Sequence, residues 1–582
     1  MTVETLITDH IDIWASALQT RSTAGRGSNG KIDLYGIKKL RELILELAVR
    51  GKLVPQDPND EPASELLKQI AKERDELVKS KVIRKPKKLE KIAITKIPFD
   101  LPDGWEWCYL NDIGDWGAGA TPSRSNAKYY NGDIPWFKSG ELSSDFISDS
   151  EEKITEFALQ ECSLRDNKVG DVLIAMYGAT IGKTSILNVR GTTNQAVCAC
   201  TPYSGISNIY LLTLLKAYKR IFIGMGTGGA QPNISREKLI ATVFALPPKA
   251  EQNRIICKVD ELMSLCDKLE QQSLTSLDAH QQLVETLLAT LTDSQNAEEL
   301  SESWARISQH FDTLFTTEAS IDALKQTILQ LAVMGKLVPQ DPNDEPASEL
   351  LKRIEQEKAQ LVKEGKIKKQ KPLPPVSDEE KPFELPEGWE WCRISNIAMF
   401  TTSGSRDWAK YYSEKGALFV TMGNLSRDSY DLRMNNLRYV TPPIEGEGLR
   451  TKLEFFDLVI SITGDVGNLG LIPEGLGEAY INQHTCLLRF IPTCQNYYFP
   501  EFMRSRVAKI QFDAPQRGIK NSFRLSDVEE MYLPLPPLKE QYRIAEKIKE
   551  SLSICDTLKS RLQSAQQTQL HLADALTDAA VN

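Results

Sequence analysis

Residues 51–68 read GKLVPQDPNDEPASELLK, and residues 335–352 repeat that string letter for letter. Downstream, residues 101–108 read LPDGWEWC and residues 385–392 read LPEGWEWC. Both pairs are displaced along the chain by the same 284 residues. The chain is therefore an internal duplication, and the fold is expected to contain each framework piece twice.

A third pair of strings closes each copy. Residues 246–255 read LPPKAEQNRI, and residues 535–544 read LPPLKEQYRI. Between the second and third strings the two copies hardly resemble each other. Because cores tolerate wide apolar substitution, a shared fold does not require near-identity at the edges. The pattern predicts that one kind of partner docks twice, while two different middles recognise two different things.

Length and composition indicate a multidomain cytoplasmic protein. With 582 residues, 41% of them apolar and 26% charged, the chain exceeds the size of a single core and has ordinary globular composition. The sequence contains no stretch of 18 uncharged apolar residues, so no membrane span is expected. The first residues are acidic and do not resemble a secretory signal. The ten cysteines are scattered, which predicts reduced thiols. Cys198-x-Cys200 is expected to fill a strand, and no zinc motif is found.

The net charge of −9 argues against binding nucleic acid by bulk electrostatics alone. It leaves open a protein that reads bases at small surfaces while a partner holds the phosphates.

Each copy begins with a helical segment. Apolar spacing predicts a helix over residues 37–50, ended by Gly51, and a second helix opened by Pro62 with Asp60 or Asn59 as its cap. The second copy repeats this scheme with helix 323–334, Gly335 and Pro346. Basic stretches follow at residues 79–96 and 363–375. They are either solvated linkers or phosphate contacts.

The middles, residues 101–248 and 385–537, show short apolar runs and many glycines, which predict mixed α/β domains. A heptad pattern follows each middle and predicts a long helix that needs a partner helix. The heptad residues are Ile255, Val259, Leu262, Cys266 and Leu269 in the first copy, and Ile544, Ile548, Cys555, Leu558 and Leu562 in the second.

The order of the pieces predicts a circular architecture. If the first and last segments meet, two globular domains are separated by a pair of long antiparallel helices about a pseudo-twofold axis. The fold class is thus α/β (α+β). The predicted domains are a helical region at 1–98, a recognition domain at 99–248, a helical spacer with the repeat at 249–382, a second recognition domain at 383–537, and a helical spacer at 538–582.

These features together resemble the DNA-specificity subunit of type I restriction–modification enzymes, in the branch with long terminal regions and LAVxGKLVPQ repeats. The resemblance covers nearly the whole chain. It implies two target-recognition domains that each read one half of a bipartite site in double-stranded DNA, with the helices setting the distance between halves. It also implies two modification subunits carrying S-adenosylmethionine, and restriction subunits that use ATP and Mg. No cofactor is expected on this chain.

Several family-like signatures lie inside the middles. The first has Gly119-x-Thr121-Pro122, and both have an Asn-Gln pair, at 194–195 and 482–483. The second domain departs from the first signature, with Ser403-Gly404-Ser405-Arg406 in its place.

Some strings resemble catalytic motifs but lack the spacing or the residues that those motifs require. GATIGKT at residues 178–184 is one residue shorter than a phosphate-binding loop and predicts a strand–turn–strand hairpin instead. No Pro-Pro-aromatic methyltransferase loop and no metal-nuclease triad is found. The chain is predicted to be non-catalytic.

Base reading requires polar and basic side chains on loops beside aromatic residues. The candidates for DNA contact in the first domain are Thr121, Ser123, Arg124, Asn126, Tyr129, Tyr130, Lys138, Tyr177, Thr180, Lys183, Gln231 and Asn233. Those in the second domain are Ser405, Arg406, Lys410, Tyr411, Asn424, Gln516, Arg517, Lys520, Asn521 and Arg524. For each residue the alternative is a solvated turn.

The duplicated string is predicted to form the partner-docking surface. Its representatives are Gly51, Leu53, Pro55 and Leu66, with Gly335, Leu337, Pro339 and Leu350 in the second copy.

Two other functions stay open at this point: a self-sufficient methyltransferase or nuclease with a fused reader, and a scaffold whose middles bind proteins.

Overall fold

The computed structural model describes residues 3–21, 31–226, 232–404, 406–442, 445, 447–514 and 522–581. The chain divides into two compact units. Unit 1 comprises residues 1–276 and 565–582, and unit 2 comprises residues 277–564. Within the described part of the chain, no helix is both long and apolar enough to span a bilayer.

The elements from the N-terminus to the first long helix belong to unit 1, and the long helix α9 continues into unit 2. The helices are α1 (Val3–Thr8), α2 (Ile11–Ser16), α3 (Tyr35–Val49), α4 (Ala63–Lys79), α5 (Glu156–Glu161), α6 (Asn208–Ala217), α7 (Lys219–Met225), α8 (Arg236–Ile240) and α9 (Lys249–Asp293). The strands are β1 (Gln19–Arg21), β2 (Lys31–Asp33), β3 (Glu106–Tyr109), β4 (Gly114–Ala118), β5 (Tyr130–Phe137), β6 (Phe146–Ile147), β7 (Lys153–Ile154), β8 (Val172–Ala175), β9 (Thr184–Leu187), β10 (Thr192–Thr193), β11 (Val197–Pro202) and β12 (Val243–Leu246).

The remaining elements belong to unit 2, except for the end of the last helix, which returns to unit 1. The helices are α10 (Ala297–Gln309), α11 (Phe311–Leu314), α12 (Glu318–Val333), α13 (Ala347–Lys363), α14 (Ile394–Ile397), α15 (Tyr498–Arg504), α16 (Arg506–Asp513), α17 (Leu525–Glu530) and α18 (Leu538–Val581). The strands are β13 (Glu390–Arg393), β14 (Ala398–Ser403), β15 (Tyr412–Ser413), β16 (Ala417–Val420), β17 (Arg438–Val440), β18 (Leu458–Ser461), β19 (Leu469–Leu471), β20 (Ala479–Ile481), β21 (Thr485–Phe490) and β22 (Tyr532–Leu535).

The two recognition domains share a sheet plan. In the first, a five-stranded sheet has the order β4-β11-β8-β9-β6 and a three-stranded sheet has the order β10-β5-β7. In the second, the sheets are β14-β21-β18-β19 and β15-β17-β16-β20. The GATIGKT string joins β8 to β9 as an antiparallel hairpin, which confirms that part of the prediction. Cys198 and Cys200 are buried in β11, as expected of strand residues.

The first and last strands of each recognition domain pair with each other. Strand β3 is antiparallel to β12, and β13 is antiparallel to β22. The LPxGWEWC string supplies the first strand of each pair, and the last strand runs into the LPPxxEQ string. The repeated strings therefore form the base on which each variable domain is built.

The duplicated string ends one helix and starts another. Gly51 has φ +67°, and the amide of Lys52 donates to the carbonyl of Leu47 at 3.0 Å, which is the bond of a Schellman cap. The predicted cap of the next helix was wrong. Pro62 occupies the cap position itself without a side-chain bond, while Asp60 instead pairs with Arg254 at 2.6 Å.

In unit 1, the first and last parts of the chain meet. Lys39 pairs with Asp574 at 2.7 Å, and Lys52 Nζ donates to the carbonyl of Val581 at 2.7 Å, so α3 runs parallel to the end of α18. On its other side α3 runs antiparallel to the start of α9, with Arg41 beside Asp267. The end of α18 and the start of α9 are consequently antiparallel.

Unit 2 has the same three-helix arrangement with the roles of α9 and α18 exchanged. Lys559 pairs with Asp322 at 2.9 Å, so the start of α18 is antiparallel to α12. Lys336 Nζ donates to the carbonyl of Thr292 at 2.6 Å beside the end of α9. The antiparallel arrangement of the long helices is thus confirmed within each unit, and the predicted meeting of the first and last segments is confirmed in unit 1.

Seven of the ten predicted heptad residues are buried, and Leu269, Leu558 and Leu562 are half-buried. Ile255, Leu262 and Cys266 in α9 are 0–2% exposed, and Ile544 and Cys555 in α18 are equally buried. In unit 2, Cys555 packs in one cluster with residues of α9 and α12, and Leu558 and Leu562 pack against that cluster.

Candidate nucleic-acid interface

A cluster of two cations, one carboxylate and two aromatic rings lies on the first recognition domain. Glu152 accepts from both Arg124 and Lys138, the latter at 2.6 Å. The Arg124 guanidinium also lies over the ring of Tyr130 at 4.7 Å and that of Trp136 at 5.3 Å. Trp136 is 2% exposed and belongs to the core. The fold thus brings three predicted contact residues, Arg124, Tyr130 and Lys138, together. They surround Glu152, which the sequence analysis did not single out.

The electrostatics of this cluster favour exchange with an external anion. Hydrogen bonds from Arg124 and then Lys138 lower the pKa of Glu152 to about 2. The Arg124 side chain is 57% exposed, and exposed ion pairs contribute only about 0–1 kcal/mol. A guanidinium already oriented by stacking can therefore leave Glu152 for a guanine edge or a phosphate at small cost.

The loop before this cluster is held close to a neighbouring strand. A side chain at Gly119 would place its Cβ 2.1 Å from the carbonyl oxygen of Thr193, so only glycine fits there. Thr121, which is exposed, donates to the side chain of Gln195. Tyr130 donates from its hydroxyl to the carbonyl of Pro122 at 2.6 Å.

The remaining candidates of this loop build turns. Ser123 and Ser125 hydroxyls lie 2.8 Å apart, and Asn126 accepts from the amide of Lys128 at 3.2 Å. Tyr129 is half-buried and packs against Phe157 with ring centroids 5.8 Å apart. Some of their polar groups form hydrogen bonds within the loop, and these bonds stabilise its conformation.

The hairpin after β8 approaches a second loop. Tyr177 is 36% exposed and forms an antiparallel backbone bridge with Asn233, which is also exposed. Thr180 donates to the carbonyl of Tyr177 at 2.7 Å, and Lys183 reaches the carbonyl of Gly140 at 3.4 Å. Candidates far apart in sequence are therefore neighbours on this surface.

The second domain has the corresponding bridge. Thr463 pairs with Ser522 through the backbone, beside the turn after β18. Thr463 Oγ1 lies 2.8 Å from His484 Nδ1, and Gln483 Nε2 lies 3.0 Å from His484 Nε2. The sequence analysis singled out the Asn-Gln pair but missed His484 and Thr463. Their only sequence signal was their position next to that pair and after a buried strand.

Gly404 has the same position in the second domain that Gly119 has in the first. A Cβ on Gly404 would lie 2.2 Å from the carbonyl oxygen of Ile481, and Asn482 follows that residue as Asn194 follows Thr193. The departure from the Gly-x-Thr-Pro signature therefore leaves the close backbone approach unchanged.

Of the other candidates in this domain, Lys410 and Arg524 are exposed. Lys410 Nζ lies 5.7 Å from the ring of Tyr411, which packs against Trp408. Arg406 begins a 3-10 helix, and Arg524 is the N-cap residue of α17. The candidates outside the described residues are Gln231, Ser405, Gln516, Arg517, Lys520 and Asn521.

Asn424 does not lie on the surface. It is 5% exposed, its Oδ1 accepts from the amide of Thr421 at 3.0 Å, and its Nδ2 donates to the carbonyl of Arg433 at 3.0 Å. Because these bonds hold a buried turn, a base contact by Asn424 would require the turn to open.

The duplicated string makes an internal network with the other two repeated strings. Gln56 Nε2 donates to Glu251 at 3.1 Å, and the Trp105 indole donates to the same carboxylate at 3.0 Å. In unit 2, Gln340, Trp389 and Glu540 repeat these bonds at 3.1 Å each. Burial raises the pKa of both glutamates, and these hydrogen bonds oppose that shift.

This network changes the predicted docking surface. Gly51, Leu53, Leu66, Gly335 and Leu350 are buried inside their units, and Leu337 is half-buried. Internal packing therefore explains the repetition of these residues, and a partner cannot reach the buried ones. Pro55 and Pro339 are exposed. The other residues exposed in both copies are Gln56, Asp57, Pro58, Asn59, Glu61, Pro62, Glu65 and Lys68, with Gln340, Asp341, Pro342, Asn343, Glu345, Pro346, Glu349 and Lys352.

In the described ranges, no three histidine, cysteine or carboxylate side chains gather as a metal site requires.

Known proteins resemble this chain over its whole length. A family model described as the type I restriction modification DNA specificity domain matches residues 102–279 and 386–566, more than half of the chain. The specificity subunit of the Escherichia coli type I restriction enzyme EcoEI is 48% identical over 614 aligned residues, covering 100% of both chains. That of EcoAI, also from Escherichia coli, is 48% identical over 600 residues, again covering 100% of both.

Among solved structures, the HsdS subunit from Thermoanaerobacter tengcongensis matches with a TM-score of 0.40 and 16% identity, over 84% of this chain and 99% of that chain. Another, from a study of complex assembly in the type I R-M system, matches with a TM-score of 0.47 and 16% identity, over 83% and 99%. By its family model and its full-length relatives, the chain belongs to the specificity subunits of type I restriction–modification enzymes.

Proposed function

We propose that this chain reads a two-part sequence in double-stranded DNA, one part with each recognition domain. The observation that carries this proposal is the contrast within each unit. A repeated base, made by the paired first and last strands and the Gln-Trp-Glu network, supports domains whose exposed loops differ. Different loops on a common base suit two different half-sites, because loops carry recognition and scaffolds position it.

Partner subunits perform the chemistry in this proposal. Two modification subunits dock on the exposed parts of the duplicated string, residues 55–62 and 339–346, and methylate adenine with S-adenosylmethionine. Restriction subunits use ATP and Mg to cleave DNA, and the complex acts in the cytoplasm. The identity of the exposed residues supports this assignment, since packing within the units does not require Pro58 or Pro342 to be the same.

The acidic balance of the chain supports weak DNA binding by the chain alone. At a net charge of −9, partner subunits must supply most phosphate contacts. The affinity of duplex DNA for the chain, measured with and without the co-expressed modification subunit, is expected to differ by at least tenfold. Equal affinities would contradict this division of labour.

A domain exchange tests the two-reader proposal. Residues 101–248 are replaced by the recognition domain of a relative, and methylated sites are mapped in cells that carry the complex. One half-site is expected to change, while the other half-site and the spacing stay the same. Loss of both half-sites in a complex that still assembles would overturn the proposal.

A pair of matched substitutions tests the docking surface. Pro58→Glu and Pro342→Glu change equivalent exposed residues, and neither side chain is needed for packing. Each variant is expected to bind one modification subunit fewer by native mass spectrometry, and the double variant none. Full assembly by the double variant would place the docking surface elsewhere.

A further inference from the structure

Two extended segments follow the helices α4 and α13. Strap 1, residues 84–93, and strap 2, residues 368–377, are neither helix nor strand. They are displaced by the same 284 residues as the duplicated string, so they occupy equivalent positions in their units. Strap 1 lies within the first basic stretch, and strap 2 overlaps the second; the sequence left two interpretations of these stretches open.

Each strap has a period of three. Pro86, Leu89 and Ile92 are half-buried in strap 1, and the residues between them are exposed. In strap 2, Leu373 is half-buried and Val376 is 9% exposed. A three-residue repeat is that of the polyproline II conformation, which rises about 3.1 Å per residue and turns two of every three side chains outward. The straps are therefore attached along one edge, and their other side chains face solvent.

Hydrogen bonds fasten strap 1 to the first recognition domain, and strap 2 to helix α13 and the second recognition domain. In strap 1, the Asn111 side chain donates to the carbonyl of Lys87 at 3.4 Å. In strap 2, the half-buried Lys358 donates to Gln370 at 3.2 Å, and Arg393, 8% exposed, donates to the carbonyl of Pro374 at 2.8 Å.

The exposed faces of the straps are basic in the same register. Arg84, Lys85 and Lys87 correspond to Lys368, Lys369 and Lys371, and all six are exposed. Among the described residues these six side chains make no ion pair, in a protein whose net charge is −9.

The sequence of the straps suggests the class of partner. Strap 1 reads RKPKKLEKIA and strap 2 reads KKQKPLPPVS, so positive charge and period are kept while most side chains differ. A protein that docked twice would require identical side chains, as the duplicated string provides. Phosphates require only cations at a suitable spacing.

Both straps lie next to the helices that follow the candidate reading loops. Arg393 donates to the carbonyl of Glu530, the last residue of α17, and α17 begins directly after Arg524. In unit 1, the 3-10 turn Leu110–Asp112 holds strap 1 through Asn111 and contacts α8. Helix α8 begins three residues after Asn233.

We propose that straps 1 and 2 bind the phosphate backbone of duplex DNA beside the two half-sites. This inference rests on the proposed function, since it assumes that the reading loops face DNA. Phosphate contacts orient a protein on the duplex without carrying sequence information. The straps thus supply sequence-independent affinity that the acidic chain otherwise lacks.

The test uses the assembled complex with the modification subunit. One variant carries Arg84→Gln, Lys85→Gln and Lys87→Gln, and another carries Lys368→Gln, Lys369→Gln and Lys371→Gln. Affinity for cognate and non-cognate duplexes is measured across salt concentrations. Each variant is expected to reduce the slope of log K against log salt by about 3, because each phosphate contact contributes about 0.9. The ratio of cognate to non-cognate affinity is expected to stay unchanged.

A charge-preserving variant is the matched control. Arg84→Lys, Lys85→Arg and Lys87→Arg together should leave the slope unchanged. Phosphate-ethylation interference should show that each glutamine variant loses contacts beside one half-site only.

Two outcomes would overturn the inference: an unchanged slope in both glutamine variants, or loss of subunit assembly without DNA, which would make the straps protein contacts. Failure of the proposed function is distinguishable. In that case the unmodified complex would show no cognate preference, whereas the salt slope would still report the phosphate contacts.

Discussion

Glu152 is placed to compete with DNA for two of the residues predicted to contact it. It accepts from Arg124 and Lys138 in the free protein, and both cations are candidates for DNA contact. The carboxylate helps to hold Arg124 over Tyr130 and Trp136, and it also neutralises both cations. If Arg124 and Lys138 contact DNA, Glu152 has two effects on recognition: it weakens binding to every duplex, and it increases the geometric demand on the cognate one.

Replacing Glu152 separates these two effects. Glu152→Gln is expected to strengthen binding of the assembled complex to any duplex by about fivefold, since an exposed ion pair of about 1 kcal/mol no longer has to break. Discrimination between cognate and non-cognate DNA is expected to fall. The matched control is Glu151→Gln, because Glu151 lies 3.6 Å from Lys138 and its side chain is 77% exposed. If both variants bind like the unmodified protein, Glu152 does not compete with DNA.

Gly51 shows why one residue of the duplicated string cannot vary. Its φ of +67° disfavours any side chain, and a Cβ would lie 2.5 Å from Pro102 Cγ and 2.9 Å from the Trp105 ring. Gly51→Ala is therefore expected to lower the free energy of unfolding of unit 1 by about 2–4 kcal/mol, which combines backbone strain with overpacking.

The matched control is Gly178→Ala. Gly178 has φ +59° but nothing within 4 Å of the added Cβ, so about 1 kcal/mol is expected from the backbone alone. Denaturant unfolding of both variants measures the difference. Equal losses would show that the contact with Pro102 and Trp105 is relaxed at no cost.

At the scale of elements, the contact between α3 and the end of α18 closes the chain on itself. Ala573 is 0% exposed in this contact, whereas Ala575, half a turn further along, is exposed. Ala573→Asp is expected to destabilise unit 1 by roughly 2–4 kcal/mol, because it buries a carboxylate without a partner. Ala575→Asp, the control, is expected to change stability by less than about 0.5 kcal/mol.

Limited proteolysis distinguishes the two units in this experiment. With Ala573→Asp, cleavage is expected to accelerate within residues 1–276 and to stay unchanged within residues 300–550. Equal acceleration in both regions would mean that the contact stabilises the chain as a whole.

The sequence predicted the elements that repeat better than those that vary. Helix α3, the cap at Gly51 and the long heptad helices follow local rules of periodicity and capping, and they were predicted to within a few residues. The Gln56-Trp105-Glu251 network joins positions up to 195 residues apart, so no local pattern reveals it. The sequence analysis consequently assigned the whole duplicated string to an external partner, whereas the structure shows that its buried residues pack inside each unit.

The candidate DNA-contact loops were predictable only in kind. Polar residues beside aromatic residues indicated which loops to consider, and the structure brings Arg124, Tyr130 and Lys138 together, while their contact with DNA stays a prediction. Composition could not show which of these polar residues are exposed. Asn424, for example, is buried and its side chain holds a turn. The structure draws attention to His484 because its ring contacts Gln483. His484 belongs to no motif that the sequence analysis recognised.

At the scale of the whole molecule, both long helices pass from one unit to the other. Helix α9 has 45 residues and changes unit after Ser276, and α18 has 44 residues and changes unit after Ser564. If each unit reads one half-site, these helices set the distance between the halves. Lengthening both helices should then change the length of the spacer in the DNA site and leave the two half-sites unchanged.

Inserting four residues into each long helix, after Ser276 and after Ser564, tests this expectation. Four helical residues add about 6 Å and rotate the following part by about 40°. One to two base pairs of DNA add a similar rise, about 3–7 Å, so the spacer is expected to lengthen by one or two base pairs with both half-sites unchanged. Methylome sequencing of cells carrying the variant complex measures the new spacer. An insertion in α9 alone is the control, because unequal antiparallel helices should distort the packing and abolish methylation. A doubly inserted variant that methylates the original site would show that the helices do not set the spacing.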